Sequence, residues 1–94
     1  MQITRNNSET TLLPSEWFTG AGYIDTVATP SEPSCLGAAS VHFIPVARTA
    51  WHAHLHGQTI YGTAGVGLAQ RCGGPVEVMR PGDRVFFEPG EDHT

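Results

Sequence analysis

Short stretches of alternating apolar and polar residues follow one another along the chain, separated by turn-forming residues. Residues 36–44 alternate most clearly, residues 21–29 are rich in Tyr, Ile, Thr and Val, and residues 85–87 form a short apolar run. A side-chain period of two is that of a β-strand, and Gly-Gly-Pro at residues 73–75 is typical of a hairpin turn. No stretch keeps a helical period, so the pattern predicts an all-β fold, either a sandwich or a small antiparallel barrel.

The composition fits one globular domain and limits the classes of partner that we expect for it. The 94 residues, of which 39% are hydrophobic, predict a single domain over residues 1–94, with residues 1–12 as a polar N-terminal segment. A net charge of −4, with five Arg and no Lys, argues against a nucleic-acid partner. The chain shows no signal-peptide pattern and no apolar run long enough to span a membrane. Two cysteines fit a reducing compartment, so we expect a cytoplasmic protein without a membrane partner.

Residues 51–59 contain the largest group of candidate metal ligands, since three of the five histidines lie there. His52 and His54 are two residues apart, so an extended strand would send both imidazoles to the same face. Gly57 allows the backbone to bend and return the amide oxygen of Gln58 as a further ligand. His93, after the Pro-Gly turn at residues 89–90, is a fourth candidate, and the four side chains predict a site for a divalent metal ion.

The spacing leaves one alternative open, because His56 also alternates with His54 and the metal-binding pair could be His54 and His56. In the strand predicted over residues 36–44, Ala39 and Val41 share one face, which we predict to line a substrate pocket. His42 then points to the opposite face and is expected to be structural.

Two motifs resemble those of the cupin superfamily: residues 51–58, with Gly65 seven positions further on, and residues 81–93. Within the cupins, residues 48–59 and the earlier Glu-Trp-Phe-Thr-Gly at 16–20 resemble a bacterial group that includes the manganese-dependent hydroxynitrile lyases. The resemblance implies a double-stranded β-helix, the jelly-roll form of a small antiparallel barrel. It also implies His52, His54, Gln58 and His93 as the metal ligands, in preference to a pair made by His54 and His56.

The sequence departs from the usual cupin pattern at Gln58, where most cupins have Glu, and at its end. A complete cupin continues with further strands after the last ligand, so we expect the barrel to be incomplete at the C-terminus. The resemblance implies Mn²⁺ as the first choice of metal, with Fe, Ni or Zn also acceptable, and a homo-oligomer, either a dimer or a tetramer.

The function that the resemblance implies is reversible cleavage of a cyanohydrin, a small-molecule substrate, into HCN and an aldehyde or ketone. His56 is a weak candidate for the catalytic base that this reaction requires. Two alternatives stay open: another small-molecule cupin enzyme, such as a dioxygenase or an isomerase, and a non-catalytic cupin that binds a metal or ligand. Three His and one Gln are all neutral ligands, so a bound divalent ion would keep its full charge, which favours Lewis-acid chemistry over activation of O₂.

Overall fold

The structure, a computed structural model, describes residues 1–5 and 10–94, and within these ranges every regular element is a β-strand. The all-β prediction is therefore confirmed. Part of the predicted polar segment, residues 6–9, lies outside the described residues. In the part of the chain that the structure describes, no helix has the length and hydropathy needed to cross a membrane.

The chain divides into two compact units, residues 1–48 and residues 49–94. The prediction of a single domain stays a prediction. The strands, in chain order, are β1 (Thr11–Leu12), β2 (Phe18–Thr19), β3 (Gly22–Ala28) and β4 (Ala38–Phe43) in the first unit, β5 (Arg48–Thr49) at the boundary, and β6 (Gln58–Tyr61), β7 (Gly67–Ala69), β8 (Glu77–Met79) and β9 (Arg84–Phe87) in the second.

The first unit is organised by a three-stranded antiparallel sheet in the order β1-β3-β4. Ala39 pairs with Thr26 and Val41 pairs with Ile24, so both lie on the same face of β4, as their spacing in the sequence predicted. All six residues of β4 are exposed. The assignment of Ala39 and Val41 to a substrate pocket stays a prediction.

The second unit contains two antiparallel pairs, β6-β9 and β7-β8. Its small core consists of Ala69, Met79 and Phe87, with Ile60 and Val85 packed against it. On β9, Val85 and Phe87 point inward while Phe86 is 55% exposed, which is the alternation expected of a strand with one buried face. Phe87 pairs directly with Gln58 on β6, so the two side chains are neighbours on the inner face.

The last three residues of the chain are held between two other segments of the same unit. His93 exchanges two backbone hydrogen bonds with His52, at 3.0 and 2.9 Å. On its other side, the amide of Gln70 donates to the carbonyl of Thr94, and the amide of Thr94 donates back, both at 2.9 Å. The backbone around His93 is therefore fixed from both sides.

Candidate metal centre

The first two histidines of the site lie in the segment that leads into β6. His52 and His54 are half-buried, whereas their neighbours Trp51, Ala53 and Leu55 are exposed. The burial thus alternates as expected for two imidazoles on the same face. The segment is less regular than a continuous strand, because only His52 forms a bridge and residues 55–56 form a turn before β6 begins at Gln58.

The turn exists because Gly57 adopts a positive φ of 83°, a conformation that side chains with a Cβ rarely adopt. A Cβ built on Gly57 would also lie 2.8 Å from the carbonyl oxygen of Phe87. This close approach brings β6 beside β9 and places Gln58 on the inner face. The interpretation of Gly57 as the bend that returns Gln58 therefore agrees with the backbone.

Substitution of Gly57 tests this interpretation through stability. We expect Gly57→Ala to lower the free energy of unfolding by about 1–2 kcal/mol for the positive φ and by a further 1–3 kcal/mol, roughly, for the clash with Phe87. Gly65→Ala is the matched control, because Gly65 has a φ of 71° and nothing lies within 4 Å of its added Cβ. Denaturant unfolding of both variants makes the comparison, and equal losses would contradict a role for the close approach.

His93 is the most deeply buried of the candidate ligands, with 1% of its surface exposed. Its ring lies parallel to that of Phe87, with centroids 3.8 Å apart and an interplanar angle of 8°. The nitrogen atoms that His52, His54 and His93 could offer to an ion all lie within 4.8 Å of one another. The structure thus brings three of the predicted ligands together, and His56, exposed on the turn, is not among them.

Two of the three imidazoles are oriented by the same kind of local hydrogen bond. Nδ1 of His52 donates to the carbonyl of Ala50 at 2.7 Å, and Nδ1 of His93 donates to the carbonyl of Glu91 at 2.8 Å. In each case the acceptor is two residues earlier in the chain. A proton fixed on Nδ1 leaves the lone pair of a neutral ring on Nε2, which is the tautomer that metal binding through Nε2 requires.

Gln58 completes the group through an unusual contact. Its Oε1 lies 3.0 Å from Nε2 of His93. Because Nδ1 of His93 already carries the ring proton, a neutral His93 presents a lone pair to this oxygen, and two acceptors face each other. A second ring proton, a rotated amide or a metal ion between the two atoms would relieve the contact.

His54 provides a second observation of the same kind. Within the described residues, its buried Nε2 has no hydrogen-bond partner. Burial, and then the positive charge that His52 and His93 carry when protonated, lowers the pKa of His54, against the opposing effect of the Gln58 side chain. His54 is therefore neutral near pH 7 with a free lone pair. A metal ion would satisfy His54 and the pair of acceptors together, so these residues fit a metal site.

Sequence reasoning missed the groups that support these ligands. The carbonyl acceptors at Ala50 and Glu91 carry no side-chain signal, and the stacking of Phe87 on His93 depends on contacts across the unit. The sequence placed Phe87 only in a short apolar run at residues 85–87. Only the pairing of β6 with β9 could have placed it beside Gln58.

The arrangement of strands is that of a cupin-like protein, and the comparison with solved structures agrees. A cupin-like protein from Thermotoga maritima, known from its crystal structure, shares the fold with a TM-score of 0.79 and 31% sequence identity, over 97% of this chain and 66% of that protein. No family model matches the sequence. The chain has a cupin-like fold, as its motifs predicted.

A more specific similarity exists at the sequence level. The chain is 54% identical over 80 residues to an (R)-mandelonitrile lyase from Granulicella tundricola, a match that covers 85% of this chain and 61% of the lyase. The resemblance to the hydroxynitrile lyase group is thus confirmed. The chain spans less than two thirds of the length of this relative.

Proposed function

We propose that this chain belongs to a metal-dependent hydroxynitrile lyase that uses Mn²⁺ held by His52, His54, Gln58 and His93. The observation that carries the proposal is the site in which three imidazoles lie within 4.8 Å of one another and Gln58 faces His93. The similarity to the (R)-mandelonitrile lyase supports the reaction. Fe, Ni or Zn would also accept nitrogen and oxygen ligands of these types.

A bound divalent ion would supply Lewis acidity toward the hydroxyl or carbonyl oxygen of the substrate, and four neutral ligands would leave its charge undiminished. The residues of the chain prepare the site for this role. The carbonyls of Ala50 and Glu91 keep the rings of His52 and His93 in the tautomer with a free Nε2. The low pKa of His54 keeps protons from competing for its lone pair near neutral pH.

Cyanohydrin cleavage also requires a group that takes the hydroxyl proton. His56 is the candidate from the sequence, because the lone pair of a neutral imidazole can accept a proton. It lies exposed on the turn between His54 and Gln58. Its assignment as the base is part of the proposal, as is the assignment of Ala39 and Val41 to the substrate pocket.

We also propose a homo-oligomer, a dimer or a tetramer. The second unit exposes large apolar side chains, including 68% of the surface of Leu68 and 55% of that of Phe86, which a partner copy would cover. With a net charge of −4, no nucleic-acid partner is proposed.

The test is cyanide release from mandelonitrile by the purified protein after loading with Mn²⁺. We expect about one ion per chain and cyanide release that a chelator abolishes and Mn²⁺ restores. A parallel measurement of oxygen uptake identifies a dioxygenase. Metal binding without turnover of either kind would support a non-catalytic metal-binding cupin and contradict the lyase assignment, whereas absence of stoichiometric metal after reconstitution would contradict the site itself.

A further inference from the structure

Phe87 is the largest residue of the core in the second unit, and one face of its ring is covered by a candidate ligand. The rings of Phe87 and His93 are nearly parallel, at 8°, with centroids 3.8 Å apart. Phe87 is 4% exposed and His93 is 1% exposed, so water does not separate or screen the pair. Phe87 therefore packs against a metal-site residue as well as against the core.

We propose that Phe87 is a positioning residue of the metal centre, which holds the ring plane of His93 so that Nε2 faces the other ligands. The proposal rests on the metal site proposed above and extends it to a residue that would not touch the ion. Its basis is the combination of two restraints on one imidazole, each of which limits a different motion.

The first restraint acts at the edge of the ring. Nδ1 of His93 donates to the carbonyl of Glu91 at 2.8 Å. This hydrogen bond fixes the position of Nδ1 and the direction of its N–H bond. It leaves the ring free to rotate about the line that joins Nδ1 to the carbonyl oxygen. The stacked face of Phe87 removes that tilt, because any rotation of the imidazole would open the contact on one side and close it on the other.

The position of Phe87 follows from the register of β6 and β9. Phe87 pairs directly with Gln58, so the strand pair presents a candidate ligand and a flat apolar surface side by side. His93 contacts both, with Nε2 3.0 Å from Oε1 of Gln58 and its ring face on Phe87. A ring held in this way has less conformational freedom to lose when an ion binds, which favours binding.

The electrostatics of the stacked rings also favour a role for Phe87 in metal binding. A divalent ion withdraws electron density from an imidazole that binds it and makes the ring more positive. The face of a phenyl ring carries partial negative charge. The stack should therefore be stronger in the metal-bound protein than in the metal-free protein, and Phe87 should contribute to metal affinity in addition to core packing.

The experiment compares metal affinity and metal-free stability in matched variants of the chain. Phe87→Leu keeps an apolar side chain and loses the ring, and Phe87→Tyr keeps the ring. We expect Phe87→Leu to bind Mn²⁺ about tenfold more weakly than the wild type, as is typical when a group that supports a ligand is lost, and Phe87→Tyr to restore most of the affinity. Met79→Leu is the control, since Met79 belongs to the same core cluster.

A second variant separates electronic support from packing. Pentafluorophenylalanine at position 87 has nearly the shape of Phe but the opposite charge on its face. It should fold, bind Mn²⁺ more weakly than the wild type, and shift the visible spectrum of the Co²⁺-substituted protein. This variant also keeps the test decisive if Phe87→Leu does not fold.

The outcomes distinguish this inference from the proposal on which it rests. If the wild type binds no metal, the proposed function fails and the inference fails with it. If the wild type binds metal and each of the Phe87→Leu and pentafluorophenylalanine variants that folds binds it equally well, only the role of Phe87 is overturned. The same conclusion follows if Met79→Leu lowers the affinity as much as Phe87→Leu.

Discussion

Replacement of His93 by Ala should remove the metal almost completely. Among the proposed ligands, His93 is fixed by the largest number of contacts: backbone bonds to His52, a ring hydrogen bond to Glu91, a stack on Phe87 and a close approach to Gln58. Its loss leaves His52 and His54 with one amide oxygen, and we expect the affinity for Mn²⁺ to fall by more than about 100-fold.

His42→Ala is the control for this prediction. His42 lies in β4, where all six residues are exposed, and it belongs to the other unit of the chain. We expect it to keep stoichiometric metal by elemental analysis and by titration. Thermal unfolding of both metal-free proteins separates loss of a ligand from loss of the fold. Equal metal loss in the two variants would show the assignment of His93 to be wrong.

Replacement of Gln58 by Glu should tighten metal binding and lower turnover. The carboxylate keeps the shape of the amide and adds a negative charge at a group that lies 3.0 Å from His93. Charge attraction should raise the affinity for Mn²⁺ by about tenfold, or about 1.4 kcal/mol. The added charge should also weaken the Lewis acidity of the ion and repel an anionic ligand such as cyanide, so the rate of cyanide release should fall while occupancy rises.

The pH of this measurement matters because a carboxylate also stabilises a protonated imidazole. We therefore expect the gain in affinity at about pH 8, well above the ordinary pKa of His, and a smaller gain near pH 6, where protons compete. Gln70→Glu is the matched control, since Gln70 lies in the same unit and its side chain donates to the carbonyl of Gly74. If Gln58→Glu shows no gain at the higher pH, Gln58 is not a ligand.

The local part of the site could be predicted from the sequence. A spacing of two residues put His52 and His54 on one side of the segment, and the structure has both half-buried between exposed neighbours. Gly57 marked the bend before Gln58, and its φ of 83° agrees. These features depend on backbone geometry over a few residues, so a single stretch of sequence contains the information.

The choice between His52 and His56 as the partner of His54 could not be made from spacing. His56 is two residues from His54, as His52 is, and the strand period treats the two pairs alike. The turn at residues 55–56 takes His56 out of the alternation and leaves it exposed. The motif resemblance favoured His52, and in the structure His52 forms a bridge with His93, which lies 41 positions further along the chain.

By itself, the sequence determined the all-β character of the chain, the turns, and which residues could hold a metal ion, because strand period and ligand chemistry are local properties. Only the tertiary structure decided how those residues are supported. The stack of Phe87 on His93 and the approach of Gln58 to the same ring both depend on the register of β6 and β9. A register joins residues that are distant along the chain, and it is settled by which side chains the two strands can bury together.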